Sequence, residues 1–226
     1  MALTDNLTAY WEMEDVTDSH STYDQTNNGS VSFTSTGIIV KGASGFASGT
    51  YLSRASLPSI GTGAWSKSLW FRASSLAAAN KVLSGYTGDE NTILIDSSNK
   101  LNWYSTGYRI TGATTISVDT WYHAVVVGNG LGAGSRNVKL YLNGSQEGST
   151  YTADYNLTNT TVNHGIHSNG SVEPFTNGIL DEIGFWVGKA LSESEISELY
   201  NSGSGLAYPL TSGTPAHNLL LMGAGS

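Results

Sequence analysis

At 226 residues the chain is long enough to close one generous hydrophobic core, and 12% charged residues against 27 glycines suits short strands and small polar turns rather than helical bundles. The formal charge of −8, with only ten basic residues scattered along the chain, disfavours a nucleic-acid groove, which needs clustered Lys and Arg to displace counterions. The absence of cysteine excludes disulfides, Cys-ligated zinc and a thiol nucleophile.

Taken in chain order, the pattern is one of period-2 or short apolar runs separated by Gly, Asn, Asp and Ser, as strands and turns require. The start, Met1-Ala2-Leu3-Thr4-Asp5, has neither a basic nor an apolar leader region, so no secretory signal is expected and the chain is expected to begin near Met1. An opening strand places Leu7, Ala9, Trp11 and Met13 on one face and Thr8, Tyr10, Glu12 and Glu14 on the other. The run Gly37-Ile38-Ile39-Val40 reads as the next apolar segment. Trp65 to Arg72 alternates as a half-buried strand, with Lys67, Leu69 and Phe71 on one face and Ser66, Ser68, Trp70 and Arg72 on the other. Ile93 to Asp96 and Leu101 to Tyr104 follow. Trp121 to Val127 and Val138 to Leu142 are the strongest strands, being rich in β-branched and aromatic residues, and Asn143-Gly144 predicts a tight hairpin turn.

Ile179 to Trp186 reads as a long strand leading into one helix. Ser192 is its expected N-cap with Glu195 as capping-box partner, Leu191 and Ile196 form a hydrophobic staple, Ile196, Leu199 and Tyr200 form the buried stripe, and Gly203 is placed to end it. Residues 1–205 are thus expected to form one domain, and 206–226 an extended tail. Within that tail, Leu219, Leu220, Leu221 and Met222 make the longest apolar run. It is far below the ~20 residues of a membrane helix, so no membrane insertion is expected, but it is sufficient to dock on a neighbouring subunit. A homo-oligomer is therefore expected. The Asn-x-Ser/Thr sequons at Asn6, Asn28, Asn143, Asn156 and Asn159 reflect a Ser/Thr/Asn-rich composition and carry no functional weight.

Several segments resemble the laminin-G-like jelly roll of the concanavalin A-like lectin/glucanase superfamily. They are Leu7-Thr8-Ala9-Tyr10-Trp11 with Asp18-Ser19; Asp119 to Val126 followed by Leu140-Tyr141-Leu142-Asn143-Gly144; and Gly178 to Trp186 with Ala190-Leu191-Ser192, Glu195-Ile196 and Leu199-Tyr200. Gly37 to Leu52 is compatible, and the resemblance covers roughly residues 5–205. His20 departs from it, standing where the family usually has Gly after Asp-Ser. The resemblance implies an all-β antiparallel jelly-roll sandwich with one short C-terminal helix. It says little about the ligand, since one fold hosts many functions.

The Glu-x-Asp-x-x-Glu strand motif of the superfamily's β-glucanases is not found. The nearest acids, Glu12-Met13-Glu14-Asp15 and Asp89-Glu90, lack the even, aromatic-framed spacing that a retaining glycosidase needs, and no Gly-x-Ser-x-Gly elbow is present. Asp181, in an otherwise apolar strand, requires partners. One reading is a structural calcium shared with the Asp18 turn, resembling the calcium between first and last strands of several superfamily members; the other is hydrogen bonding from backbone or hydroxyl donors. Of His20, His123, His164, His167 and His217, the pair His164/His167 could suggest zinc, but three-residue spacing suits a helix and this segment reads as strand or loop. Tyr86, Trp103, Tyr104 and Tyr108 could form a stacking platform for sugar rings, or could be core and cross-strand packing.

The expected function is that of a non-enzymatic surface or structural protein of a virion, a bacteriophage decoration or fibre-type module with glycan or host-surface affinity, assembled with other virion subunits. A secreted or surface carbohydrate-binding bacterial domain is the alternative, and a glucanase relative comes third.

Overall fold

The computed structural model describes residues 2–76, 79–88, 90–152, 154–167 and 172–211. The strands are β1 (Leu7–Trp11), β2 (Thr26–Asn28), β3 (Ser32–Thr36), β4 (Lys41–Ser44), β5 (Tyr51–Arg54), β6 (Ala64–Ala73), β7 (Lys81–Tyr86), β8 (Glu90–Ile95), β9 (Lys100–Tyr104), β10 (Tyr108–Thr115), β11 (Trp121–Asn129), β12 (Asn137–Leu142), β13 (Ser145–Thr152), β14 (Val162–His164) and β15 (Gly178–Val187). One helix follows, α1 (Glu193–Tyr200). The first sheet runs β13-β12-β11-β6-β15-β4-β3 with β1 also on β15, and the second runs β10-β9-β8-β7-β14-β5-β2. The chain is an all-β antiparallel jelly-roll sandwich with one short C-terminal helix, as its sequence predicts.

Two apolar layers hold it together. The main core lies between the sheets and takes Trp11 from β1, Leu69 and Phe71 from β6, Ile93 from β8, Trp103 from β9 and Ile183 and Phe185 from β15. A second layer covers the outer face of the first sheet, where Val125, Val127, Tyr141 and Trp186 meet Leu191, Ile196 and Leu199 around the helix, with Leu3 from before β1 and Leu210 from after α1. This layer corrects the half-buried reading of β6: its outward residues are covered as well. The Ser66 hydroxyl donates to Lys189 O at 3.0 Å and accepts from Leu191 N at 2.9 Å, while the Trp70 ring stacks on Tyr200 at 5.7 Å.

The helix is set by local chemistry. Ser192 accepts from Glu195 N and the Glu195 carboxylate accepts from Ser192 N, the reciprocal box predicted. It ends at Asn201, which adopts the left-handed conformation, two residues before the expected Gly203. The Asn143-Gly144 turn has positive φ at both residues, 50° and 82°, and the Asn143 side chain also accepts from His123 N.

Two further expectations are corrected. Gly37 to Val40 is the β3–β4 turn, not a strand. Leu7 lies in the outer layer with Tyr10, because a bulge between Leu7 and Ala9 shifts the alternation. In β11, Trp121 is half-buried, Tyr122 enters the main core and Val125 lies in the outer layer. Of the segment read as a tail, Tyr208 packs its ring 5.5 Å from Tyr10 and sets its hydroxyl 3.2 Å from His20 Nδ1, and Leu210 is buried. His20, the departure from the family pattern, thus serves this clasp. Leu219, Leu220, Leu221, Met222 and His217 lie outside the described residues.

Phe185 is 2% exposed, contacts the Tyr86 ring at 5.8 Å and sits one position from the strand's central bulge. Phe185→Ala is expected to cost about 3–5 kcal/mol through the cavity it leaves. A denaturant titration checks this, and a loss below about 1 kcal/mol would contradict the packing described.

Candidate carbohydrate-binding cleft

The predicted aromatic platform is split by strand alternation. Successive side chains on a strand point to opposite faces, so Trp103 enters the core while its neighbour Tyr104 faces outward. Trp103 and Tyr86 are each 1% exposed. The Trp103 indole donates to Asn91 Oδ1 at 3.1 Å, and Tyr86 lies under the Lys67 ammonium at 5.2 Å, so neither ring is a free stacking face. The Tyr108 side chain lies outside the described residues.

A different set of residues makes a cleft where the edges of the two sheets meet. There, β10 of the second sheet approaches β13 of the first. Their junction is fastened by Glu147, whose carboxylate accepts from Ala113 N at 2.6 Å, Thr114 N at 3.0 Å and the Thr114 hydroxyl at 2.6 Å. Burial alone would raise the Glu147 pKa; these donors outweigh it and hold the carboxyl below its ordinary range. Beside this fastening, Trp103, Tyr151, Tyr155 and Leu157 give a cleft of about 190 Å³ an apolar floor. The Tyr151 ring lies between the Trp103 ring, 5.8 Å away, and the Arg109 guanidinium, 5.6 Å from its centroid.

Polar groups ring this floor, and Arg109, Glu90 and Asp154 among them are anchored. Arg109 donates from Nε to Ser105 O at 2.9 Å and from Nη2 to Thr106 O at 3.1 Å, clamping the β9–β10 turn. Glu90 accepts from Thr158 N at 3.1 Å, and Asp154 accepts from Gly134 N at 2.8 Å and faces Arg136. The Tyr155 hydroxyl bridges the loops below, accepting from Gly130 N and donating to Gly63 O. An apolar floor with a polar rim matches a sugar ring, which has C–H faces and an equator of hydroxyls. The volume suits one ring, below the range of drug-sized pockets. Sequence reading missed Arg109, Tyr151 and Tyr155. The available signal was Tyr151 itself, a large ring in the otherwise small and polar β13 sequence SQEGSTYT.

The predicted acids lie elsewhere. Glu12, Glu14 and Asp15 line a separate depression with Thr17 and Ser19, while Asp89 is outside the described residues. Asp18 accepts from Tyr10 N, His20 N and Tyr23 N at 2.9 to 3.0 Å. Asp181 accepts from Ile38 N at 2.7 Å, Ile39 N at 3.4 Å and Glu182 N at 3.0 Å. Each carboxylate therefore accepts from backbone donors of a turn, and Asp181 has the donors that its hydrogen-bonding reading requires. Among the described residues, no three His, Cys, Asp or Glu side chains gather as metal ligands would. The two histidines considered for zinc are separated: His164 points into the core against Trp11 at 5.2 Å, and His167 lines a groove on the opposite face of its sheet. His123 is buried, 2.7 Å from the Ser68 hydroxyl through Nε2, and burial lowers its pKa to about 3, so it stays neutral.

Two buried acids at the β15 bulge predict a pH response. Burial raises Glu182 to about 9, despite the Tyr10 hydroxyl donating to it at 2.5 Å, and raises Asp181 to about 7 against the pull of its backbone donors. Raised carboxyl pKa values favour the neutral forms in the folded state. Their contribution to stability is full below about pH 4 and is lost as pH rises through about 7 and about 9. The melting temperature is therefore expected to decline from about pH 5 to about pH 9, and Glu182→Gln to flatten that decline. An unchanged slope in the variant would refute the assignment. Since the Asp181 oxygens are already occupied, thermal melts in excess calcium and in excess chelator are expected to coincide; a separation abolished by Asp181→Asn would restore the metal reading.

Comparison with known proteins bears on the fold and family. No curated protein matches this chain in sequence. Domain 4 of AbnA, a GH43 extracellular arabinanase from Geobacillus stearothermophilus solved with arabinotriose, is similar with a TM-score of 0.63 and 21% identity, over 85% of this chain and 97% of that one. The binding domain of Paraclostridial Mosquitocidal Protein 1 superposes with a TM-score of 0.70 at 16% identity, over 89% of this chain and 53% of that one. The botulinum neurotoxin serotype D ligand binding domain, solved with N-acetylneuraminic acid, gives 0.69 at 14%, over 88% and 51%. This chain thus spans about half the length of the two toxin domains. Residues 46–197 match the Laminin_G_3 family profile. With that match spanning most of the sandwich, from the segment before β5 into α1, the chain belongs to the Laminin_G_3 family of the concanavalin A-like lectin/glucanases superfamily.

Proposed function

We propose that this protein is a non-enzymatic carbohydrate-binding module, displayed on a virion or cell surface, that takes a sugar ring in the cleft between β10 and β13. The observation that carries the proposal is the half-buried Tyr151 ring, tilted 58° against the buried Trp103 ring with the Arg109 guanidinium 5.6 Å from its centroid, which sets an aromatic surface beside anchored polar groups. A preorganised wall spares the ligand the cost of ordering the site. The arabinotriose and N-acetylneuraminic acid complexes of its structural neighbours support the reading and suggest the first probes. Binding rather than hydrolysis fits the acids of the cleft, because Glu90 and Asp154 are engaged in holding segments 157–159 and 130–136.

The test is a glycan array followed by calorimetry with the best binder, alongside arabinotriose and a sialylated oligosaccharide. Tyr151→Ala and Arg109→Ala are each expected to weaken binding about tenfold or more, about 1.4 kcal/mol, with a melting temperature close to the parent's. Wild-type affinity in both variants, or no glycan bound at millimolar concentration, would overturn the proposal.

A further inference from the structure

Tyr104 lies outside the cleft, in a second depression of about 220 Å³ on the outer face of the second sheet. Thr92, Leu94 and Tyr104 form its sheet side, and Asn80, His167 and Glu173 its opposite bank. That bank is built by Asn80, just before β7, and by described residues 165–167 and 172–175 after β14. The latter fold back along β7, where Val82 N donates to Glu173 O at 3.0 Å and Gly165 N donates to Leu83 O at 2.8 Å. The Asn80 side chain donates to Glu173 Oε1 at 2.8 Å, joining the two ends of the bank. Like the cleft, the depression offers an aromatic ring with hydroxyl, amide, imidazole and carboxylate groups around it.

The two depressions share strands. Thr92 pairs with Tyr104 in register, Glu90 of the cleft lies two residues before Thr92 on β8, and Ser105 of the cleft follows Tyr104 directly, just past the end of β9. From Leu94 to Glu90, β8 advances about 13 Å. The outer-face depression therefore neighbours the rim cleft along β8 and β9, although the two share no lining residue.

We infer that the ligand is an oligosaccharide chain rather than a single terminal sugar, with one ring held at Tyr151 and Arg109 and the following rings laid along β8–β9 over Tyr104. This inference rests on the carbohydrate-binding reading and deepens it: it commits the site to extended, mainly neutral glycans, since the carboxylates Glu90, Asp154 and Glu173 line the path against the single guanidinium of Arg109. Linked subsites add affinity with each ring engaged until the path is filled.

The test measures affinity across homologous series of neutral α- and β-linked oligosaccharides, from monosaccharide to hexasaccharide, for the full chain and for Tyr104→Ala, His167→Ala and Tyr151→Ala. Affinity is expected to rise about tenfold or more between monosaccharide and trisaccharide. Tyr104→Ala and His167→Ala should abolish that rise while leaving monosaccharide binding unchanged, whereas Tyr151→Ala should weaken every member. Saturation-transfer NMR should place a bound ring against Tyr104 in the wild-type protein, independently of how well the variants fold. Affinity that does not grow with length, or growth untouched by both face variants with no transfer from Tyr104, would overturn the extended path while leaving the rim cleft standing. Absence of binding at every length would overturn both.

Discussion

A strand buried on both faces has to accommodate two carboxyl groups at its centre, and the first sheet is organised around how β15 does so. Between Asp181 and Gly184 its pairing with β6 slips, with Glu182 at a φ of 48°. The bulge lets Leu180 and Ile183 both reach the main core and turns the acids away from it. On the side away from β6, the same place marks the change of partner, from β4 before the bulge to β1 after it. Each acid then secures one of those partners: Asp181 holds the β3–β4 turn through Ile38 and Ile39, and Glu182 holds β1 through the Tyr10 hydroxyl. Gly37 belongs to the same arrangement, since a Cβ there would overlap the Asp181 carboxylate. One irregularity thus joins the N-terminal strand, an inner hairpin and the C-terminal strand.

Covering follows from this frame. With β15 and β6 buried on both sides, the helix, Leu3 before β1 and Leu206 to Leu210 after α1 close over the outer face of the first sheet, which leaves the second sheet and the junction of the two more open. The cleft is built from loops and the edge strands β10 and β13 with the end of β9, the depression from β8, β9 and the segments beside β7, and Glu90, Asp154 and Glu173 are each held by hydrogen bonds. That rigidity suits recognition by a preformed surface.

Much of the fold was legible because it is written in short-range chemistry. The Ser192/Glu195 box, the Asn143-Gly144 turn and the β-branched run of β11 each state their structure within a few residues. The bulges were not legible, since a register slip is decided by both partners of a ladder; for that reason Leu7 was placed on the wrong face. Ile38 and Ile39 misled for a related reason. Their apolar side chains suggested a strand, but their backbone N–H groups, which a side-chain pattern does not reveal, are what Asp181 requires. The site was harder still. Trp103 and Tyr104 adjoin in sequence and part in space, whereas Trp103, Arg109 and Tyr151 converge from three strands of two sheets.

The Glu147 fastening has a consequence for solubility. An edge strand with unsatisfied N–H and C=O groups is a template for another chain, and sandwiches are exposed to such pairing at every open edge. Here the edges β10 and β13 turn toward each other, and one carboxylate takes up the Ala113 and Thr114 amides that an incoming strand would seek. Gly148 allows the approach, since any side chain at that position would meet the Thr111 carbonyl. Because those donors keep the Glu147 carboxyl charged below its ordinary pKa range, the protection should persist into mildly acidic surroundings, where many copies crowded on one surface could stand side by side without strand exchange along this edge.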